Sequence, residues 1–240
     1  MSEAVLEVEG LTAGYVPDLP ILREVSMRAQ RAKITVVIGP NGAGKSTLIK
    51  AVAGLLKIGG GHVRLEGEDI TGLRPDLMAG RGMAYVPQID NIFRSLTIRQ
   101  NLELALARVG GASIEPMLAR FPVLAEKLKD RAGTLSGGQR QLLAVAMALA
   151  AGPRLILMDE PSAGLSPKAT AEVLDLARTL AEEGVTILLV EQNVKAALRL
   201  ADHCYILAEG RNQIDGPARD LLNDPVVGEI YLGGRRMERA

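Results

Sequence analysis

The sequence predicts an α/β fold: a mostly parallel sheet covered by helices on both faces, a small antiparallel β layer and an inserted helical segment. Three observations predict it. Ile34-Thr35-Val36-Val37-Ile38 is an apolar, β-branched run of buried-strand type, and a glycine loop and then a helical pattern follow it. Beyond Arg154 strand and helix patterns alternate. Between about residues 92 and 149 the pattern is mostly helical and interrupts that alternation.

Taken in order, residues 5–9, 26–29 and 62–66 read as short strands, with turns at Gly59-Gly60-Gly61 and Glu66-Gly67. They form the antiparallel layer. After the glycine loop, Leu48, Ile49, Val52, Leu55 and Leu56 recur at helical spacing. In the helical segment Ile98, Leu102 and Leu106 share one face. Ser136 reads as an N-cap, followed by the stripe Leu142, Leu143, Val145, Ala146 and Leu149. Strands at 155–158, 185–190 and 204–208 then alternate with helices at 168–183 and Val194–Leu200. No long linker, repeat or low-complexity stretch divides residues 1–240, so one folding unit is expected, with about 92–150 as its helical insertion.

The chemistry concentrates in three segments. Gly39-Pro40-Asn41-Gly42-Ala43-Gly44-Lys45-Ser46-Thr47 fits G-x-x-x-x-G-K-[ST], a phosphate-binding loop. Its glycines let the backbone wrap a polyphosphate, its N–H groups form an anion nest, and the helix starting near Lys45 adds its positive end. Lys45 places a cation on the β- and γ-phosphates, and Ser46 can ligate Mg²⁺. The second segment, Arg154-Leu155-Ile156-Leu157-Met158-Asp159-Glu160-Pro161, is an apolar strand ending in two carboxylates. Asp159 is placed to hold Mg²⁺ through a water, and Glu160, turned elsewhere by strand alternation, to act as base toward the attacking water. The third, Leu135-Ser136-Gly137-Gly138-Gln139, is a second helix start suited to an anion. One nucleotide does not need two such starts, so Ser136, Gly137, Gly138 and Gln139 are expected to serve a nucleotide held mainly by another copy or a partner. No Asn-Lys-x-Asp guanine reader is present, which argues against a GTPase.

Leu135-Ser136-Gly137-Gly138-Gln139 resembles the signature of the ATP-binding-cassette ATPases and stands at that family's usual separation from Asp159. The resemblance covers about residues 6 to 234. It implies a P-loop NTPase (RecA-like) core, ATP with Mg²⁺ as cofactors, and the family's roles at matching positions. Tyr15 stacks on adenine; Gly39, Asn41, Gly42, Gly44, Lys45, Ser46 and Thr47 surround the phosphates. Gln88, in Tyr85-Val86-Pro87-Gln88, contacts Mg²⁺ and senses a transmembrane partner. Asn91-Ile92-Phe93-Arg94 falls where the family docks a permease helix; Phe93 reads either as an anchor for that helix or as a cap on the local core.

Two positions depart from the family. Gln192, in Val190-Glu191-Gln192-Asn193, stands where a histidine often senses the γ-phosphate; an amide can donate a hydrogen bond but cannot become charged. Ser166, in Ala163-Gly164-Leu165-Ser166, replaces a frequent aspartate. Together with the terminal Ile230-Tyr231-Leu232-Gly233-Gly234, this spelling is similar to that of the smaller ATPase subunit of branched-chain amino acid importers, a spelling shared by related amide and urea importers. It implies separate membrane permease subunits, a second ATPase subunit (a heterodimer, or else a homodimer), an extracytoplasmic solute-binding protein, and residence on the cytoplasmic face of the inner membrane. The alternatives are an ATPase of lipopolysaccharide-exporter type, against which Gln192 and Ser166 argue, a soluble cassette ATPase, and a purely regulatory subunit.

Composition agrees. The 240 residues carry 28 basic and 28 acidic side chains, so no nucleic-acid footprint is expected. Arg235, Arg236 and Arg239 read as a solvated tail. Cys204 is the single cysteine and reads as a small core residue. His203 reads as structural. Met1-Ser2-Glu3-Ala4 has neither a basic start nor an apolar stretch, so no secretory leader is expected, and the apolar runs are of strand length.

Overall fold

Three five-residue strands in which every residue is buried form the middle of the larger sheet: Ile34–Ile38, Leu155–Asp159 and Thr186–Val190. A computed structural model describes residues 4–16, 18–107, 113–222, 224, 225 and 227. In chain order these form β1 (Ala4–Ala13), β2 (Leu22–Gln30), β3 (Ile34–Ile38), α1 (Lys45–Val52), β4 (Ile58–Leu65), β5 (Glu68–Asp69), α2 (Pro75–Met78), β6 (Met83–Val86) and α3 (Ile98–Leu106). There follow α4 (Glu115–Arg120), α5 (Pro122–Ala125), α6 (Gly137–Leu149), β7 (Leu155–Asp159), α7 (Pro167–Glu182), β8 (Thr186–Val190), α8 (Val194–Leu200), β9 (His203–Ala208), β10 (Arg211–Pro217) and α9 (Ala218–Leu221). The motifs at 230–234 and 235–239 lie outside the described residues.

The larger sheet runs β10-β9-β3-β8-β7-β6, parallel throughout except for β10 against β9. Continuous apolar strands are what a sheet covered on both faces requires. Their side chains alternate between two cores. Val36, Ile156, Met158, Ile187 and Leu189 face α3, α6 and α7; Val37, Leu155, Leu157, Leu188 and Val190 face β1, β2 and α1. Parallel pairing puts the ends of β3, β7 and β8 side by side, with Asp159 opposite Val190. The loops after those strands therefore converge, as ligand-binding loops do in such sheets.

The smaller sheet, β2-β1-β4-β5, is antiparallel. Gly59-Gly60-Gly61 is not the expected turn. It lies within β4, where Gly60 pairs with Thr12 across an irregular register. Gly61 sits at φ +83°, and a Cβ there would stand 2.4 Å from the carbonyl oxygens of Glu9 and Gly10. Leu55 likewise departs from expectation: α1 ends at Val52, and Leu55 is exposed beyond it.

Residues 98 to 149 intervene between β6 and β7, which are neighbours in the sheet. Ile98, Leu102 and Leu106 bury one face of α3, and Thr97 and Gln100 close a capping box at its start. The described residues between α3 and α6 are less helical than expected, holding the two short helices α4 and α5 and a single 3₁₀ turn at Ala132–Thr134. β10 was not legible in the sequence, because its residues alternate between exposed and half-buried along a sheet edge.

Candidate nucleotide site

The loop between β3 and α1 is pressed against the body of the protein. A Cβ on Gly39 would stand 2.1 Å from the Leu207 carbonyl oxygen, so only glycine fits that approach. Gly44 caps α1 at φ +99°, a backbone conformation that disfavours other residues. Lys45 is buried, and its ammonium donates to the carbonyl oxygens of Gly39 (2.8 Å) and Pro40 (3.1 Å). Burial lowers its pKa, while the charges of Glu160, Asp159 and Glu191 act the other way. Thr47 is buried behind the loop and Asn41 is exposed on it.

Ser46 and Asp159 meet as the sequence indicates: Ser46 Oγ donates to Asp159 Oδ1 at 2.9 Å. The Tyr85 hydroxyl donates to Asp159 Oδ2 at 3.3 Å. Burial raises the Asp159 pKa, and the Ser46 hydrogen bond opposes that rise. Burial and then the Asp159 charge raise that of Tyr85. A hydroxyl and one carboxylate are hard oxygen donors, the set that suits Mg²⁺ completed by phosphate and water.

Glu160 is positioned differently from the strand-alternation expectation. β7 ends at Asp159, and Glu160 follows at φ +47°, so a left-handed backbone sets its direction. Its N–H donates to the Val190 carbonyl at 2.9 Å. Both carboxylate oxygens accept from Gln192 Nε2, at 2.8 and 2.7 Å, and Oε2 also accepts from Gln88 Nε2 at 2.8 Å. Gln88 is thus hydrogen-bonded to Glu160 here. A cleft of about 940 Å³ opens against this cluster, lined in part by Gln88, Glu160, Ser162, Glu191, Gln192 and Asn193.

The signature segment stands apart. Ser136 caps α6, its hydroxyl accepting from Gln139 N and the Gln139 amide oxygen accepting from Ser136 N. Ser136, Gly138 and Gln139 line a second cavity of about 400 Å³, shared with Ser166 and Lys168. No hydrogen bond joins this segment to residues 39–47 among the described residues. Gly138 also has a packing reason: a Cβ there would stand 2.8 Å from that of Ala169 on α7. Gly137 is half-buried at the head of the helix. Ser166 is the N-cap of α7, accepting from Ala169 N at 3.3 Å, so the aspartate's replacement keeps a capping oxygen.

Tyr15 is 56 % exposed, its ring free for stacking. Phe93 is 52 % exposed and so does not cap the core; Phe121 is the buried phenylalanine. The Phe93 backbone is gripped by fully buried Asn101, which accepts from Phe93 N (2.8 Å) and donates to Phe93 O (3.0 Å). Asn91 donates to Gln141 Oε1 on α6 at 2.8 Å. His203 contacts Asp215 at 3.1 Å and packs on Tyr205, away from the site. Tyr85, Glu191 and Asn101 escaped the sequence reading of the site, since nothing in their spacing marks them.

Residues 22–163 match the profile of the ABC transporter family. The chain is 42 % identical to the probable branched-chain amino acid transport ATP-binding protein LivF of Archaeoglobus fulgidus, over 95 % of this chain and 99 % of that one. It is 38 % identical to the high-affinity branched-chain amino acid transport ATP-binding protein BraG of Pseudomonas aeruginosa, over 92 % and 96 %. A solved ATP-binding cassette of an ABC transporter, in its ADP conformation, superposes with a TM-score of 0.84 at 31 % identity, covering 96 % of this chain and 99 % of that one. With the phosphate loop, the acid pair and the signature segment in one fold, the chain belongs to the ABC transporter family, as an ATP-binding and ATP-hydrolysing subunit.

Proposed function

We propose that the chain is the motor of an importer for branched-chain amino acids, driving a separate membrane permease from the cytoplasmic face of the inner membrane. Residues 1–240 act as one ATPase unit, with about 92–150 as its helical insertion. The solute class rests on the two branched-chain relatives together with the Gln192 and Ser166 spelling. Among the described residues no helix is long and apolar enough to cross a membrane, which fits a motor that needs a separate pore.

In this reading Tyr15 stacks on adenine, residues 39–47 wrap the phosphates, and Lys45 exchanges its two carbonyl partners for phosphate oxygens. Ser46, Asp159 and Gln88 would hold Mg²⁺, whose charge would offset that of the phosphate oxygens. The placement of Ser136 away from this loop supports a sandwich completed by a second ATPase subunit, whose Ser136-Gly137-Gly138-Gln139 equivalent reaches the γ-phosphate; a heterodimer is the form we favour. Glu160 then orients the attacking water as base and Gln192 donates to a phosphate oxygen, so catalysis is chiefly positioning. Phe93 and Ile89, exposed on a loop tethered to the helical insertion, offer the permease contact.

The test is reconstitution with the permease, the second ATPase subunit and the extracytoplasmic binding protein. Binding protein loaded with leucine, isoleucine or valine is expected to stimulate ATPase activity. Stimulation by urea, amides or other amino acids instead would move the solute. Activity coupled to lipopolysaccharide export would replace the importer reading.

A further inference from the structure

Glu191 is a buried acid that no step above uses. It is 1 % exposed, and no lysine or arginine lies at ion-pair distance from it among the described residues. A buried carboxylate without a cation is costly and has to be satisfied by other donors. Two of the donors are backbone N–H groups, Glu191 Oε1 accepting from Ser162 N at 3.0 Å and Oε2 from Gln192 N at 3.2 Å, and the Ser162 side chain adds a hydrogen bond.

Those two donors belong to the segments that carry the reacting pair. Ser162 lies two residues past Glu160, whose left-handed backbone must be held from outside. The backbone ladder between β7 and β8 ends at Asp159 and Val190, and the Glu160 N–H to Val190 O bond is the next stitch. Beyond it the chain turns away, and the Glu191 carboxylate supplies the stitch that backbone can no longer make. Glu191 is itself fixed to the neighbouring strand, its N–H donating to Val37 O at 3.2 Å. Glu191 therefore ties β3, through its backbone N–H, to the turn after Glu160 and to the Gln192 backbone, through its carboxylate.

We propose that Glu191 is a positioning residue for ATP hydrolysis: through the N–H groups of Ser162 and Gln192 it sets the register between the Glu160 carboxylate and the Gln192 amide. It acts through Glu160 and touches no substrate. This rests on the reading of Glu160 as base. Glutamine at 191 keeps the volume and one acceptor oxygen but turns an NH₂ toward a backbone donor; alanine removes both acceptors.

The experiment measures ATPase kcat and KM, ATP affinity and Tm for Glu191→Gln and Glu191→Ala, in the full chain under conditions where the unmutated chain turns over. The expected result is a kcat lower by about tenfold or more, alanine worse than glutamine, with ATP affinity within about threefold, since displaced groups cost rate more than binding. In a Glu160→Gln background neither change should lower the residual rate further. Unchanged kcat in the alanine variant would overturn the proposal. So would additive losses with Glu160→Gln, or a kcat that falls only as the folded fraction falls while Glu191→Gln behaves as wild type. If Glu160→Gln alone keeps full activity, the base assignment fails separately.

Discussion

Gln192 Nε2 lies 2.8 and 2.7 Å from the two carboxylate oxygens of Glu160, and Gln88 adds a third amide contact at 2.8 Å. Both donors are neutral, and among the described residues the acid is held by hydrogen bonds with no ion pair. In the proposed mechanism these bonds are redistributed when Glu160 meets the attacking water.

Replacing Glu160 by glutamine keeps the size and removes the proposed base. Glu160→Gln is expected to bind ATP normally and to lose hydrolysis by about 10²–10⁴-fold. Size-exclusion chromatography with ATP should show the closed sandwich accumulating, and normal turnover would refute the assignment.

Gln192 cannot titrate, whereas a histidine there would change charge near pH 6.5. The kcat profile of the wild type should lack a limb in that region. Gln192→His should acquire one, read from steady-state rates between about pH 5.5 and 8.5. A histidine-like limb already present in the wild type would assign it elsewhere.

Gly210, at φ +73°, packs so closely that a Cβ would stand 1.7 Å from the Ile21 carbonyl oxygen. Its N–H also donates to Ala43 O, beneath the phosphate loop. Gly210→Ala should cost at least about 1–2 kcal/mol for the left-handed backbone alone. Thermal unfolding should show that as a Tm lower by several degrees.

Cys204 is fully buried in β9, and burial raises its thiol pKa to about 12. Since the thiolate is the reactive form, it should resist a disulfide reagent at neutral pH until the protein unfolds. Fast labelling of the native chain would contradict its core placement.

Sequence made the centre of this fold legible where one residue type has one physical use. The glycines of the phosphate loop, the apolar runs of β3, β7 and β8, and Asp159 at the end of β7 each announced their place. Long-range geometry escaped it. Nothing local shows that Glu191 receives the Ser162 N–H, or that Tyr85 reaches Asp159 from the next strand. Gly59-Gly60-Gly61 reads as a turn because a bulge and a turn make the same demand on the backbone. β10 was invisible because its pairing is set by β9 and not by its own apolar content. Leu55 matched a helical period that α1 does not live long enough to use.

The most direct measurement is uptake of labelled leucine, isoleucine and valine by cells whose only copy of the chain carries Lys45→Ala. In the proposed site Lys45 gives the phosphates a charged donor, and losing it should weaken ATP binding by about 10- to 100-fold. The expected result is loss of uptake, restored by the unmutated gene. Undiminished uptake of all three amino acids would contradict the account.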